Sequence, residues 1–502
     1  MNTFFNLPEI RISFLMLALL FTTDALAAGR FEFTPKAKDA YDKVISLRFD
    51  EARRLISQIK YEDPDNLIIY HIENYIDFFS VFINEDKKEF RRLEKNKDYR
   101  LKQLKKGDSD SPYYLYTQAE VRLQWALARL KFEEYFTAFN EVKTAYKQLN
   151  KNSKKFPNFV ANKKSMGILH AIVGTVPDNY KWGVKLLGGM DGTIEEGRNE
   201  IEEVLKYAKH NDFIFEEETL VMYAFLLLHL KNQDDEAWTS IHSGKLVPEK
   251  NPLACFALAN VAMRTGKNDE AIHLLKNRPK DPAYMPFPYL DYMLGAAKLN
   301  RMDADAEYYL KAYIRKFRGL NYIKQAYQKI AWHHLLIGNR SGYLENISKC
   351  KTFGETIIDG DKNALEEAES GQSPDIDLLK ARVLFDGGYY KRAYQLLKQK
   401  SKSDYPSKHF NLEYTYRLGR VTHKMNNTDE AIAYYQQTID NGRDESWFYA
   451  CNAALQIGII YEEDKQKEKA RAYYKTCLSI DPDEYKNSLH QKAKAGLNRT
   501  GN

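Results

Sequence analysis

A chain of 502 residues is roughly three times the common domain size, so it folds as several domains or as one long repeat array. Its 75 basic and 69 acidic residues leave a formal charge of +6, too small and too mixed for a polyanion-binding surface, and four Cys are too few for a disulfide scaffold. With 35 Tyr and 26 Phe against 25 Gly and 15 Pro, the composition favours long helices over many-turned sheets.

At the N-terminus, Ile12 to Phe21 is a largely apolar run preceded by Arg11 and followed by the small-x-small sequence Ala25-Leu26-Ala27. This predicts a secretory signal peptide over residues 1–27, cleaved after Ala27, because a membrane span needs about 20 apolar residues and Thr22, Thr23 and Asp24 end the run early. No Cys follows the run, so lipid attachment there is not expected. No later segment is long enough to span a bilayer; Leu220–Leu230 is the nearest. Cleavage removes Glu9, Arg11 and Asp24, which raises the formal charge from +6 to +7. Export places the mature chain in the periplasm, at the outer membrane or outside the cell, where nucleic acid is not an expected partner.

From residue 28 onward, small residues recur in pairs twelve apart: Ala40 and Ala52, Ala126 and Ala138, Ala259 and Ala271, Ala381 and Ala393, Gly419 and Ala431, Gly458 and Ala470. Two antiparallel helices approach closely only where both carry small side chains, so each pair predicts a helix–turn–helix unit. Four residues after the second small one stands a larger side chain: Ile56, Val142, Leu275, Leu397, Tyr435 or Tyr474. One turn along the same face, it packs back over the unit. Residues 222–241 and 293–314 read as looser units, 105–114 and 354–375 as loops, and the charged run at 95–106 as a solvated helix face.

The stretch "KLLGGMDGTIEEG" (185–197) lies in a region, 167–197, that holds seven Gly. A phosphate loop of the Walker type needs Lys and Ser or Thr after its last Gly, and a dinucleotide loop needs G-x-G-x-x-G; neither is present. Thr193-x-x-Glu196 instead predicts a capping box, so the region reads as a bend between two stacks of repeats. In "DGDKNALEEAES" (359–370), Asp359, Asp361 and Asn363 imitate a calcium loop, but Ala364 and Ser370 occupy the positions that need Gly and Glu, so a polar turn capping a helix is expected. His333 and His334 are adjacent and diverge on a helix, no H-E-x-x-H occurs, and no two Cys have zinc-ligand spacing, so neither metal nor cofactor is expected. Ser57-x-x-Lys60 and Ser348-x-x-Lys351 match a serine–lysine pattern without its supporting motifs and read as surface helix residues.

Near the C-terminus, Ala454-x2-Ile457-Gly458-x2-Tyr461, then Ala470-x3-Tyr474-x2-Cys477, then Pro482 resembles the tetratricopeptide repeat, with Ala454 in place of its first aromatic residue. Successive units at 381, 419 and 458 are longer than the family's repeat of about 34 residues. The resemblance implies an all-α, right-handed superhelical solenoid of antiparallel helix pairs, divided as 28–166, a Gly-rich junction at 167–197, 198–353, a linker at 354–373, and 374–502. Cys451 and Cys477 fall opposite each other in one unit, as a disulfide or as apolar packing.

The resemblance also implies a concave wall built from the second, fifth, ninth and twelfth residues of each first helix: Asp375, Leu378, Arg382 and Phe385; Glu413, Tyr416, Arg420 and His423; Asn452, Leu455, Ile459 and Glu462. Arg382 and Arg420 with Phe385, Tyr416, His423 and Asn452 suit an extended acidic or C-terminal peptide. The pattern differs from the family's chaperone-binding clamp, which has Asn at the ninth position. The plainer expectation pairs the two arginines with Asp375 and Glu413 on their own helices. The expected function is a non-enzymatic scaffold binding another polypeptide of the bacterial envelope. Two alternatives remain. A glycan-binding or enzymatic protein would show a deep pocket with converging carboxylates or histidines, and a structural oligomer would show an uncapped apolar end face.

Overall fold

A computed structural model describes residues 28–174, 189–228 and 233–501, and within them the chain is helical, with isolated bridges between Gly29 and Gly107 and between Arg30 and Asn66 but no strand. The expected signal peptide lies outside the described residues. Among those described, no helix is long and apolar enough to cross a membrane.

The first block comprises α1 (Pro35–Ile45), α2 (Phe49–Glu62), α3 (Ile68–Asn84), α4 (Lys87–Leu104), α5 (Tyr113–Leu130), α6 (Tyr135–Lys155) and α7 (Ala161–Gly174). Side-chain caps fix several starts: the Thr34 hydroxyl accepts from the Ala37 amide ahead of Pro35, and the Asp86 carboxylate accepts from Lys88 and Glu89. The middle block runs through α8 (Ile194–Ala208), α9 (Glu216–Leu227), α10 (Asp234–His242), α11 (Pro252–Arg264), α12 (Asn268–Lys276), α13 (Tyr289–Arg301) and α14 (Ala306–Lys316). The last comprises α15 (Ile323–Leu336), α16 (Arg340–Thr352), α17 (Asp359–Ser370), α18 (Ile376–Asp386), α19 (Tyr390–Lys398), α20 (Lys408–Lys424), α21 (Thr428–Gly442), α22 (Tyr449–Glu463), α23 (Lys467–Ser479) and α24 (Lys486–Arg499).

The paired small residues lie at buried positions: Ala40 and Ala52, Ala126 and Ala138, Ala259 and Ala271, Ala381 and Ala393, Gly419 and Ala431, Gly458 and Ala470. Seven residues after the first member of each pair, the chain turns through a left-handed residue: Leu47, Glu133, Gly266, Gly388, Asn426 and Lys465, with φ between 60° and 76°. Met302 (φ 69°), seven after Gly295, gives the looser unit at 293–314 the same turn. Three of the six are glycine or asparagine, which adopt this conformation cheaply; the others hold it because packing on both sides outweighs the strain.

Several expectations are corrected. The linker at 354–373 contains α17, which buries Ala364 and Ala368, and Asp361, expected in a polar turn capping a helix, lies in the first turn of α17 and accepts from the amides of Tyr322 (2.6 Å) and Gln325 (2.8 Å) at the start of α15. The charged run 95–106 is not a solvated face throughout. Lys97 and Arg100 on α4 are buried, pairing with Glu141 and Asp77 at 2.5 Å each. Lys60, read as a surface residue, is half-buried and pairs with Glu73 at 2.5 Å. In the Gly-rich region, residues 175–188 lie outside the described residues. Gly167 and Gly197 are helical and meet where α7 crosses α8: a Cβ on Gly197 would stand 2.2 Å from the Gly167 carbonyl oxygen. These two glycines permit contact between helices and do not break them.

The array coils back on itself. A Cβ on Gly388 would lie 2.2 Å from the Gly266 carbonyl oxygen, and beside them the Asn268 amide donates to the Tyr389 hydroxyl at 3.1 Å. Farther apart in sequence, Glu85 accepts from the Asn321 amide nitrogen (3.0 Å) and side chain (2.8 Å). Five helices of the first and middle blocks share one buried ion cluster. Lys164 on α7 contacts Glu120 on α5 (2.8 Å) and Glu218 on α9 (2.9 Å), while Glu218 also accepts from Tyr41 on α1 (3.1 Å) and Tyr75 on α3 (3.0 Å). At the C-terminal end, α24 turns Leu489, Ala493 and Gly496 inward and leaves Lys486, Lys492 and Lys494 exposed, a polar cap on the stack.

Candidate binding groove

The first helices of successive C-terminal pairs, α15, α18, α20 and α22, lie side by side. Their spacing makes the ninth residue of one unit face aromatic rings of the unit before it. Arg382 on α18 places its guanidinium carbon 4.6 Å from the Trp332 ring centre on α15, and Arg420 on α20 stands 4.6 Å from the Phe385 ring on α18. Arg420 also donates from Nη1 to the Tyr416 hydroxyl (2.8 Å), which receives a second donor, Asn452 Nδ2 of α22, at 2.7 Å. Lys329 on α15 adds a third cation, 5.3 Å from the Trp332 ring. The result is a line of cations and rings on α15, α18 and α20, met by the Asn452 amide of α22.

The expected pairing of the arginines with Asp375 and Glu413 does not occur. Asp375 caps α18, accepting from Asp377 (2.9 Å) and Leu378 (3.0 Å), and Glu413 receives Arg417 Nε at 2.7 Å. Neighbouring Glu367 is taken by Trp332 Nε1 (2.9 Å), Gln328 (2.8 Å) and the Tyr343 hydroxyl (3.2 Å). A helix cap and closer partners outcompete the arginines for these carboxylates. Neither Arg382 nor Arg420 forms an ion pair among the described residues, and both are only half-buried.

The local electrostatics follow from this. Burial opposes the charge of Arg382, but Asp386, Glu367 and Glu413 hold its pKa above the ordinary value. Burial pushes Lys329 down to about 8, and the Arg382 charge pushes the same way.

The wall differs from the expected one. The fifth-position residues Leu378, Tyr416 and Leu455 are buried between helices, whereas the ninth and twelfth, Arg382, Phe385, Arg420, His423, Ile459 and Glu462, are half-exposed. His423 lies beside Tyr435, its Nδ1 3.4 Å from the hydroxyl. Sequence spacing missed Lys329 and Trp332, because Ala331, seven before the left-handed Gly338, is followed twelve residues on by Tyr343 and not by a small residue. It also missed Phe448 and Tyr485, whose rings meet at 5.0 Å at the far end of the line.

Stacked helix pairs with a recurrent left-handed turn define an all-α repeat protein. Two segments, residues 415–445 and 452–484, match family models of the tetratricopeptide repeat, so the pairs α20–α21 and α22–α23 are tetratricopeptide repeats and the chain carries that repeat near its C-terminus. No curated protein matches the chain. Among solved structures, the crystal structure of the P58(IPK) TPR domain is similar at 15% identity, over 82% of this chain and 97% of that one, with a TM-score of 0.21. A circular tandem repeat protein with a novel repeat topology is similar at 11% identity, over 93% and 98% of the two chains, with a TM-score of 0.13. Superpositions this poor transfer no detail to this chain.

Proposed function

We propose that this chain is a non-enzymatic scaffold of the bacterial cell envelope that holds a partner polypeptide along the groove formed by α15, α18, α20 and α22. The observation that carries the reading is that Arg382 and Arg420 are each backed by an aromatic ring and form no ion pair with a carboxylate among the described residues. A planar guanidinium held against a ring keeps its donors presented at low entropic cost, and those donors match a carboxylate bidentately. What fits is an extended acidic segment or a C-terminal carboxylate, with Tyr416 and Asn452 supplying the adjacent polar contacts. The apolar run ahead of Ala25-Leu26-Ala27 supports export.

The test is affinity for acidic peptides and for envelope extract, comparing the natural chain with an Arg382→Ala/Arg420→Ala variant. The variant should bind at least about tenfold more weakly, as expected for losing charge-assisted hydrogen bonds. Equal affinity would refute the groove.

A further inference from the structure

A second constellation lies far from the groove, where α7 crosses α8. His170 on α7 is 6% exposed, and its Nδ1 faces two carboxylates of α8, Glu200 Oε2 at 2.7 Å and Glu196 Oε1 at 3.6 Å. One ligand atom from each of the three lies within 4.8 Å of the others. Zinc bonds of about 2.0–2.2 Å in tetrahedral geometry set ligand atoms roughly 3.3 Å apart, so the distances to the imidazole nitrogen bracket what a single ion requires.

The charges are unbalanced in the same sense. Like charges four residues apart on a helix repel, and an arrangement holding both to one imidazole needs compensation. No Lys or Arg among the described residues pairs with Glu196 or Glu200. The nearby cations are committed elsewhere, Lys163 to Glu203 and Arg198 to Glu202 and Glu236. A protonated imidazole offsets one carboxylate; a dication with neutral imidazole offsets both.

The site is also held in shape. The loop backbone at Gly192 lies on His170 so closely that a Cβ there would stand 2.6 Å from the histidine Cα. The Tyr146 ring meets the imidazole edge-on at 5.9 Å, and its hydroxyl donates to the Asp191 carbonyl at 3.2 Å, fixing that loop. Thr193 Oγ1 accepts from the Glu196 amide at 3.0 Å, which fixes the start of α8. A fixed histidine nitrogen with two carboxylates on an open surface suits borderline divalent ions better than magnesium or calcium, which prefer all-oxygen sets.

We propose that His170, Glu196 and Glu200 form a three-ligand binding site for a divalent transition-metal ion of the zinc type. Nothing in the residue spacing announces it, because the ligands come from two helices joined through the Gly-rich region.

The test titrates the full mature chain, stripped with chelator, with Zn2+ by calorimetry and with Co2+ by visible absorption. One ion per chain should bind, with a Co2+ spectrum showing low coordination and a nitrogen ligand. Glu196→Gln/Glu200→Gln should lower the affinity about a hundredfold while leaving the circular dichroism of the metal-free chain unchanged. Glu196 is exposed, so Glu196→Gln alone keeps the test valid if the double variant misfolds, and it should weaken binding measurably. Absence of stoichiometric binding, or equal affinity in the natural chain and Glu196→Gln, would overturn the proposal.

Discussion

A Cβ atom placed on Gly458 would stand 2.6 Å from the ring of Tyr474, the residue four after the small partner Ala470. Gly419 bears the same relation to Tyr435, also at 2.6 Å. Where the first small residue is Ala, at 40, 126, 259 and 381, the corresponding large residue is aliphatic: Ile56, Val142, Leu275 or Leu397. Volume is conserved across the helix pair, with glycine opposite tyrosine and alanine opposite a smaller chain. Gly496 of α24 closes the other side of Tyr474, where a Cβ would lie 2.4 Å away, so the ring has nowhere to move. Gly458→Ala should therefore lose about 1–3 kcal/mol despite the better helix propensity of alanine. Tyr474→Leu should lose stability alone, yet in combination with Gly458→Ala recover part of it. Thermal unfolding of the four proteins measures this coupling, and strict additivity would contradict it.

Lys164 anchors the first block to the middle one. Replacing it with Met would leave Glu120 and Glu218 facing each other in the interior without a cation. The expected cost is about 3–5 kcal/mol, the usual range for breaking a buried pair, read as a lower denaturation midpoint.

His71 is fully buried between aromatic rings, and neither ring nitrogen has a partner among the described residues. Burial, with the Lys164 charge second, holds its pKa down to about 3 against an ordinary 6.5. As pH falls below 6.5 the unfolded chain takes up this proton before the folded one does, so stability declines by on the order of 1.4 kcal/mol per unit until pH nears 3. His71→Phe should flatten that part of the acid limb in unfolding measurements made between pH 7 and 4.

Lys329 gives the groove a pH dependence of its own. Its folded pKa is pushed down to about 8, so an anionic peptide should bind progressively more weakly as pH rises through 8. The linkage sign for stability is opposite. Between pH 8 and the ordinary value of 10.5 the unfolded chain holds the extra proton, and this group's contribution to stability rises across that window. Lys329→Met should abolish the pH dependence of binding over that range in anisotropy titrations.

Cys451 and Cys477 are buried with their sulfurs 3.5 Å apart, both as free thiols. Incubation with a glutathione disulfide buffer should join them, the two thiols giving up two protons and two electrons to the reagent. Cys255 and Cys350, whose thiols burial pushes up to about 12, should stay reduced. Peptide mapping decides the point; an unlinked pair would show that the helices do not close the remaining distance.

Much of the fold was legible because nested helices demand small side chains at matched depth, and that demand is local in sequence. The left-handed turn seven residues on was invisible, since Leu47, Glu133 and Lys465 do not advertise positive φ; packing imposes it. The charged run at 95–106 misled for a related reason, as Lys97 and Arg100 find Glu141 and Asp77 on other helices. In the groove, Arg382 and Arg420 were found by their register, while their stacking on Trp332 and Phe385 depended on how adjacent units pack. The His170 cluster depended on a crossing of helices that no periodicity encodes.

The most direct test of the groove is site-specific photo-crosslinking in envelope extract, with a benzophenone amino acid replacing Phe385 on the wall or Tyr308, which is exposed on α14. The expected result is a discrete adduct from the Phe385 position that disappears with Arg382→Ala/Arg420→Ala and is absent from the Tyr308 position. Equal adducts from both positions, or an adduct at Phe385 indifferent to the two arginines, would contradict binding in the groove.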